Sequence, residues 1–210
     1  MDYSEIQKRI QQTSLVCYRE GMFAGTSGNL SEYLRTEGVM AITPSSVNYE
    51  VMKPEQVVIM TLDGEILAGE RPSSEWRMHA QVYKAREDVN GIVHTHSPYA
   101  TSFAVVSQEI PIILIEMVPF LGGPISVARF AVPGTDDVGI EAVAAMGKKK
   151  ACLLENHGVL AVGRSLGAAH TSAVYAEDAA KIYFFARQLG TPHMIPEEAV
   201  AAMKRKYNIP

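Results

Sequence analysis

Cysteine, tryptophan and long apolar runs are what this chain is short of. Its 210 residues hold two cysteines and one tryptophan. With so few thiols no disulfide framework is expected. Cys17 falls on a helical apolar pattern and Cys152 on a strand-like one, so both read as reduced core thiols of a cytoplasmic protein. The longest apolar stretch, Ile110 to Leu121, is broken by Glu116 and two prolines and is too short to span a bilayer. A net basic charge is also missing. Nineteen Lys and Arg stand against 23 Asp and Glu, a net charge of -4 that offers no surface for nucleic acid. Met1-Asp2-Tyr3-Ser4-Glu5 lacks the basic-then-apolar order of a signal peptide. There is no repeat, linker or low-complexity segment, so residues 1–210 are expected to form one domain.

What is present centres on Ile92-Val93-His94-Thr95-His96-Ser97. Residues two apart on a strand share a face, so His94 and His96 would present two imidazoles together, and Ser97-Pro98 would end the strand there. Two ordinary strand-end histidines would give the same pattern. A third, His157, follows the strand-like Ala151–Leu154 run, in Glu155-Asn156-His157-Gly158. Three histidines at strand ends match the ligand count of a catalytic metal site with an open position. Ser73-Ser74-Glu75-Trp76 reads as a helix start that supplies a carboxylate and anion-binding hydroxyls. His79, one turn past Glu75, could join the ligands or be an ordinary packed histidine.

In chain order, Ser4-Glu5-Ile6-Gln7 reads as a capping box for a helix to about Phe23. The loop Gly25-Thr26-Ser27-Gly28-Asn29 can aim amides at an anion, or simply connect helix to strand. Leu30–Arg35, Val39–Thr43 and Val57–Thr61 read as an antiparallel meander turning at Thr36-Glu37-Gly38 and Leu62-Asp63-Gly64. A helix is expected from Pro72-Ser73-Ser74 to about Arg86, and another over Ser97 to Ser107. Ile112–Ile115 reads as a strand ending at Glu116, whose carboxylate in that apolar setting is either tied down by partners or functional. Ile125–Ala128 is a short strand, Thr135–Met146 a helix, and Ala151–Glu155 and Val159–Val162 flank His157. Ser165 caps a long helix stopped by Gly190, with Ala169, Ala173, Ala176 and Ala180 as a small packing face and structural roles for His170 and Glu177. Pro196 opens a last short helix before Tyr207 in the tail.

Gly-Thr-Ser-Gly-Asn from Gly25, Ile-Thr-Pro from Ile42, Pro-Ser-Ser-Glu-Trp from Pro72, His-Thr-His from His94 and Asn-His-Gly from Asn156 occur in that order. Together they resemble the class II aldolase/adducin family, over nearly the whole chain. The resemblance implies a three-layer α/β/α fold on a largely antiparallel sheet, a homotetramer and active sites between subunits. It also implies one divalent metal, zinc foremost with manganese or cobalt as options, held by Glu75, His94, His96 and His157. Gly28, Asn29, Ser45, Ser46, Ser73 and Ser74 fall where the family holds a substrate phosphate. Ser45-Ser46 departs from a Thr-Gly pair, and Glu116 replaces a tyrosine proton donor.

The implied reaction is retro-aldol cleavage of a ketose 1-phosphate to dihydroxyacetone phosphate and an aldehyde. Glu75 would handle the proton at the enediolate carbon, with Glu116, or else Tyr207, as the second proton carrier. Three other readings stand beside it: a methylthioribulose-phosphate dehydratase, a pentulose-phosphate 4-epimerase and a non-catalytic adducin-like scaffold.

Overall fold

A computed structural model describes residues 2–210. These residues form six α-helices around one eight-stranded sheet. The helices are α1 (Ser4–Arg19), α2 (Trp76–Ala85), α3 (Pro98–Val105), α4 (Asp136–Met146), α5 (Leu166–Leu189) and α6 (Glu197–Tyr207). The strands are β1 (Asn29–Leu34), β2 (Val39–Ile42), β3 (Val58–Thr61), β4 (Ile66–Ala68), β5 (Gly91–Thr95), β6 (Val127–Ala128), β7 (Ala151–Leu154) and β8 (Gly158–Gly163). Across the sheet they run β4-β3-β2-β1-β5-β8-β7-β6, and every pairing is antiparallel except β6 with β7.

Both faces of the sheet are covered, so its strands are apolar on both sides. Alternation assigns the faces. Val93, Val159 and Ala161 pack with Ile6, Ile10 and Cys17 of α1, Phe103 of α3 and the alanine face of α5. Ile92, Leu160 and Val162 pack on the other side with Met78 and Val82 of α2 and Val138, Ala142 and Met146 of α4. This is the expected α/β/α sandwich. No helix among the described residues is long and apolar enough to cross a membrane. Cys17 and Cys152 are buried and free, one in each core.

Several local expectations need correction. No capping box forms at α1: Tyr3 holds the cap position and makes no capping hydrogen bond, Asp2 accepts from the Ser4 amide, and Gln7 donates to the Val57 carbonyl instead. That helix stops at Arg19 rather than Phe23. Gly21, at φ +75°, allows a left-handed end, in which Met22 N–H bonds to Cys17 O and Gly21 N–H to Tyr18 O. Residues 112–115 are not a strand. Pro111 cannot donate to a ladder, Ile110 makes an isolated bridge to Ile125, and the chain then turns into one π-helical turn, Met117–Leu121. Ile112, Ile113 and Leu114 still pack partly on the core, whereas Ile115 is 61% exposed. The turn at Leu62-Asp63-Gly64 leads, as expected, into a further antiparallel strand, the short edge strand β4, whose own residues the sequence reading did not assign.

Candidate active site

The sheet gathers the site at one end. β5 lies between β1 and β8, and its register sets Asn29 and Leu160 on either side of His94, all three directed to the α2 face. His94 therefore follows Ile92 on the buried face, one residue row beyond the apolar core. Past the end of β5, His96 is held by its backbone, whose N–H donates to Met22 O at 3.0 Å. The left-handed end of α1 thus fixes a residue of the site.

His157 arrives on the β7–β8 turn, with Asn156 at φ +55° and the His157 amide bonded to Leu154 O. Gly158 is there because nothing larger fits. A Cβ on it would lie 2.3 Å from Thr95 O, 3.2 Å from His94 Cε1 and 3.4 Å from His96 Cδ2. Glu75 stands at the start of α2. Its amide is 3.3 Å from Ser73 Oγ and its carbonyl opens the helix by accepting from Met78 N–H.

Four ligand-type atoms, one each from Glu75, His94, His96 and His157, lie within 4.8 Å of one another, and the structure could hold a metal ion among them. His94 Nδ1 donates to Val159 O at 2.9 Å, which leaves Nε2 bare and turned inward. That Nε2 is 3.0 Å from His96 Nε2 and 3.2 Å from Glu75 Oε2. Glu75 Oε1 is 3.2 Å from His157 Nε2, buried, and without a directed hydrogen bond. An orphaned carboxylate oxygen among inward-turned imidazole nitrogens is what a divalent cation would satisfy, so the donor set fits the metal that the sequence motifs imply.

Burial works against the Glu75 carboxylate, but the adjoining His94 and His157 outweigh it and hold the carboxyl well below its usual range. Burial, helped by His94 and His157, pushes the His96 imidazole down to about 4. His79 is fully buried and its imidazole is pushed down to about 3 by that burial. It is not in the ligand group. Its ring bonds to Asn29 and Ser31, so the packed-histidine alternative holds.

The anion-binding candidates lie alongside. An antiparallel bridge between Pro44 and Pro72, with Ser73 N–H on Thr43 O and Ser45 N–H on Arg71 O, brings Ser45-Ser46 next to Ser73-Ser74. Ser74 is exposed and Ser73 buried. Ser46 sits at φ +60°, the left-handed conformation that a glycine would take without strain. Gly28, at φ +76°, is packed on the Phe23 ring, and its carbonyl accepts from Tyr49 O–H. Asn29 differs from expectation in one respect: its side chain is engaged, donating through Nδ2 to Glu75 Oε2 at 2.9 Å.

Glu116 and Tyr207 are not brought into this group. Glu116 is half-exposed at the head of the π-helical turn, not buried at a strand end. Tyr207, the last residue of α6, lines a hollow with Arg86, Lys150 and Arg164, beside the opposite ends of β5 and β8. Pro119 and Phe120 of the π-helical turn line the same hollow. Sequence reasoning also missed two supporting groups, the Val159 and Met22 carbonyls. Glu177 accepts from Tyr99 and Ala100 N–H at the start of α3 through its two carboxylate oxygens. Its structural role, like that of His170 bonded to Glu20, is as expected.

A sheet with three strand-end histidines and a helix-start carboxylate at one edge is the architecture of a known family. Residues 8–184 match the class II aldolase and adducin N-terminal domain, and the chain belongs to that family. Within it, the chain is an aldehyde-lyase of the aldolase type, as its relatives indicate. It is 39% identical over 188 residues to a 5-deoxy-D-ribulose 1-phosphate aldolase of Bacillus thuringiensis, covering 89% of this chain and 88% of the relative. It is 35% identical over 187 residues to a 5-methylthioribulose-1-phosphate/5-deoxyribulose-1-phosphate aldolase of Rhodospirillum rubrum, covering 89% and 84%. A solved L-fuculose 1-phosphate aldolase superposes with a TM-score of 0.94 at 34% identity, over 99% of this chain and 98% of that one.

Proposed function

We propose that this single-domain, cytoplasmic enzyme cleaves a ketose 1-phosphate to dihydroxyacetone phosphate and an aldehyde. A 5-deoxypentulose 1-phosphate is the first substrate to try and fuculose 1-phosphate the second, in the order of identity to the relatives so named. The observation that carries the reading is the convergence of one buried carboxylate and three imidazoles within 4.8 Å. Beside it stand two serine-bearing segments suited to a phosphate.

A divalent cation bound by Glu75, His94, His96 and His157, zinc foremost, would supply Lewis-acid polarisation of the substrate ketone. Ser45, Ser46, Ser73 and Ser74 offer hydroxyls to the phosphate without a lysine, and Gly28 closes that cradle from the loop before β1, while the Asn29 side chain is taken by Glu75 and His79. Holding the phosphate fixes the ketone half in register with Glu75. Glu75 Oε1, which has no hydrogen bond to give up, is the oxygen that would take up a proton from solvent and pass it to the enediolate carbon after the carbon–carbon bond breaks, which leaves the carboxylate ionised again.

The second proton, leaving the hydroxyl on the aldehyde side, needs another carrier. Glu116 and Tyr207 are our candidates, from a neighbouring subunit of a homotetramer. Two features support this. The π-helical turn that follows Glu116 shares a hollow with Tyr207, and that hollow lies about a strand's length from the chain's own histidines. Light scattering should then give a mass near four chains.

The test is a screen of ketose 1-phosphates coupled to a dihydroxyacetone-phosphate reductase, with product analysis. Free aldehyde plus dihydroxyacetone phosphate is expected. An epimer would point to the 4-epimerase reading, a dehydrated ketone to the dehydratase, and a metal-free, inert protein to an adducin-like scaffold.

A further inference from the structure

Behind Glu75 runs a buried chain of polar groups that the reaction above leaves unused. Asn29 Nδ2 is 2.9 Å from Glu75 Oε2, and Asn29 Oδ1 is 2.6 Å from His79 Nε2. His79 Nδ1 is 2.6 Å from Ser31 Oγ, which is 2.8 Å from Tyr83 Oη. Asn29, Ser31, His79 and Tyr83 are each at most 4% exposed, so water cannot substitute for a missing partner.

The proton positions follow from the partners. A carboxylate only accepts, so the Asn29 amide must turn its NH2 to Glu75 and its oxygen to His79. That oxygen requires a donor, which places the His79 proton on Nε2. Nδ1 is then bare and must accept from the Ser31 hydroxyl. Ser31 Oγ is thereby left as an acceptor for Tyr83, whose hydroxyl also reaches Ser31 O at 3.0 Å. A flipped Asn29 would set oxygen against oxygen at Glu75 and NH2 against N–H at His79.

We infer that His79 is a positioning residue that acts on Glu75 through Asn29. Its Nε2–H fixes the amide, the amide anchors Oε2, and the carboxylate is presented with Oε1 as its free oxygen. The two oxygens of one carboxylate are thereby made unequal, one tethered and one available. The inference rests on the assignment of Glu75 to the metal site and the reaction.

Groups one step behind a ligand typically alter metal affinity or activity about 10- to 100-fold when lost. His79→Leu should therefore weaken zinc binding, measured by chelator competition, by roughly that factor. In the loaded enzyme it should lower kcat more than it changes KM. His79→Gln, whose amide can still donate to Asn29 Oδ1, should recover most of both. Met146→Ala, a cavity in the same core, should lower the melting temperature without moving zinc affinity. Should His79→Leu fail to fold, Ser31→Ala removes the hydroxyl that fixes the tautomer at little change in volume and should weaken zinc binding in the same sense. Wild-type zinc affinity and kcat in His79→Leu, or in Ser31→Ala in its place, would overturn the inference. So would a loss matched by Met146→Ala. If wild type cleaves no ketose 1-phosphate while His79→Leu still weakens zinc, the positioning role stands and the aldolase reading falls.

Discussion

Gly158→Ala should damage the candidate metal site without replacing any of its four residues. The added Cβ would sit 2.3 Å from Thr95 O, where an ordinary carbon–oxygen contact is about 3.3 Å, so roughly 1 Å of movement is required. Thr95 is paired with Val159 across the β5–β8 ladder, and neither strand yields alone. If the β7–β8 turn backs away, His157 moves with it. If the end of β5 moves, His94 and His96 follow, and their rings already lie 3.2 and 3.4 Å from the same Cβ. Overpacking of this kind costs about 1–3 kcal/mol. For a chain of this size that is a melting temperature lower by roughly 2–12 °C. Ligand sets tolerate about 0.5 Å of error, so zinc affinity and kcat should each fall at least about tenfold. Scanning calorimetry, chelator competition and the coupled assay measure the three effects. Gly167→Ala is the matched control: its Cβ would meet nothing within 4 Å, and the helical site should gain rather than lose stability. If Gly158→Ala melts lower yet binds zinc and turns over like wild type, the turn does not set the histidine geometry.

His94→Ala, His96→Ala and His157→Ala should each sharply weaken zinc binding; stoichiometric metal in all three purified variants would refute the ligand set. Ser73→Ala should raise KM for phosphorylated ketoses with kcat little changed, whereas Glu75→Gln should mainly lower kcat, as steady-state kinetics on both will reveal. Ser46→Gly relieves a left-handed serine and should gain about 0.5–1 kcal/mol in urea unfolding, with a loss instead showing that the serine hydroxyl is structural. His79 is held at about 3 against an ordinary 6.5, so the unfolded chain protonates first as pH falls, and stability should drop from about pH 6.5 towards 3. Between pH 6.5 and 5 this amounts to about 2 kcal/mol, and His79→Gln should remove that part of the slope in the urea-midpoint profile while the part due to His96 remains.

The fold was legible wherever local pattern and tertiary role agree. Alternation in Ile92-Val93 and Val159-Leu160 matched two covered faces, and the α5 alanines matched a close packing surface. Thr36-Glu37-Gly38 turned as its residues require, with Gly38 at φ +71°. Misreadings arose where an apolar run had other uses. Ile112–Ile115 looks like a buried strand, but proline on either side denies it a ladder, and only part of it reaches the core. β4 pairs Ile66 and Ala68 with β3 on an exposed edge, where Leu67 is 46% exposed and the alternation signal is lost.

The site divides along the same line. His94 and His96 could be read directly because period two on a strand is local geometry, and His157 because it follows the apolar run Ala151–Leu154 at a strand end. Glu75 came from a helix start. What could not be read is which partner each polar side chain chooses. Asn29 carries a loop motif associated with phosphate, yet its amide is taken by Glu75 and His79, 46 and 50 residues away. Nothing local marks that choice; it arises because β1 lies beside β5 and under α2, so that Asn29, His94 and Glu75 meet on one face. His79 shows the same dependence. Its i+4 spacing from Glu75 is the helical signature of a shared ligand, but the helix turns His79 into the core beneath the sheet while Glu75 stays at the rim. The candidate metal group is thus a product of strand ends and one helix start, readable from short motifs. The hydrogen bonds that hold it are a product of sheet order, which short motifs do not encode.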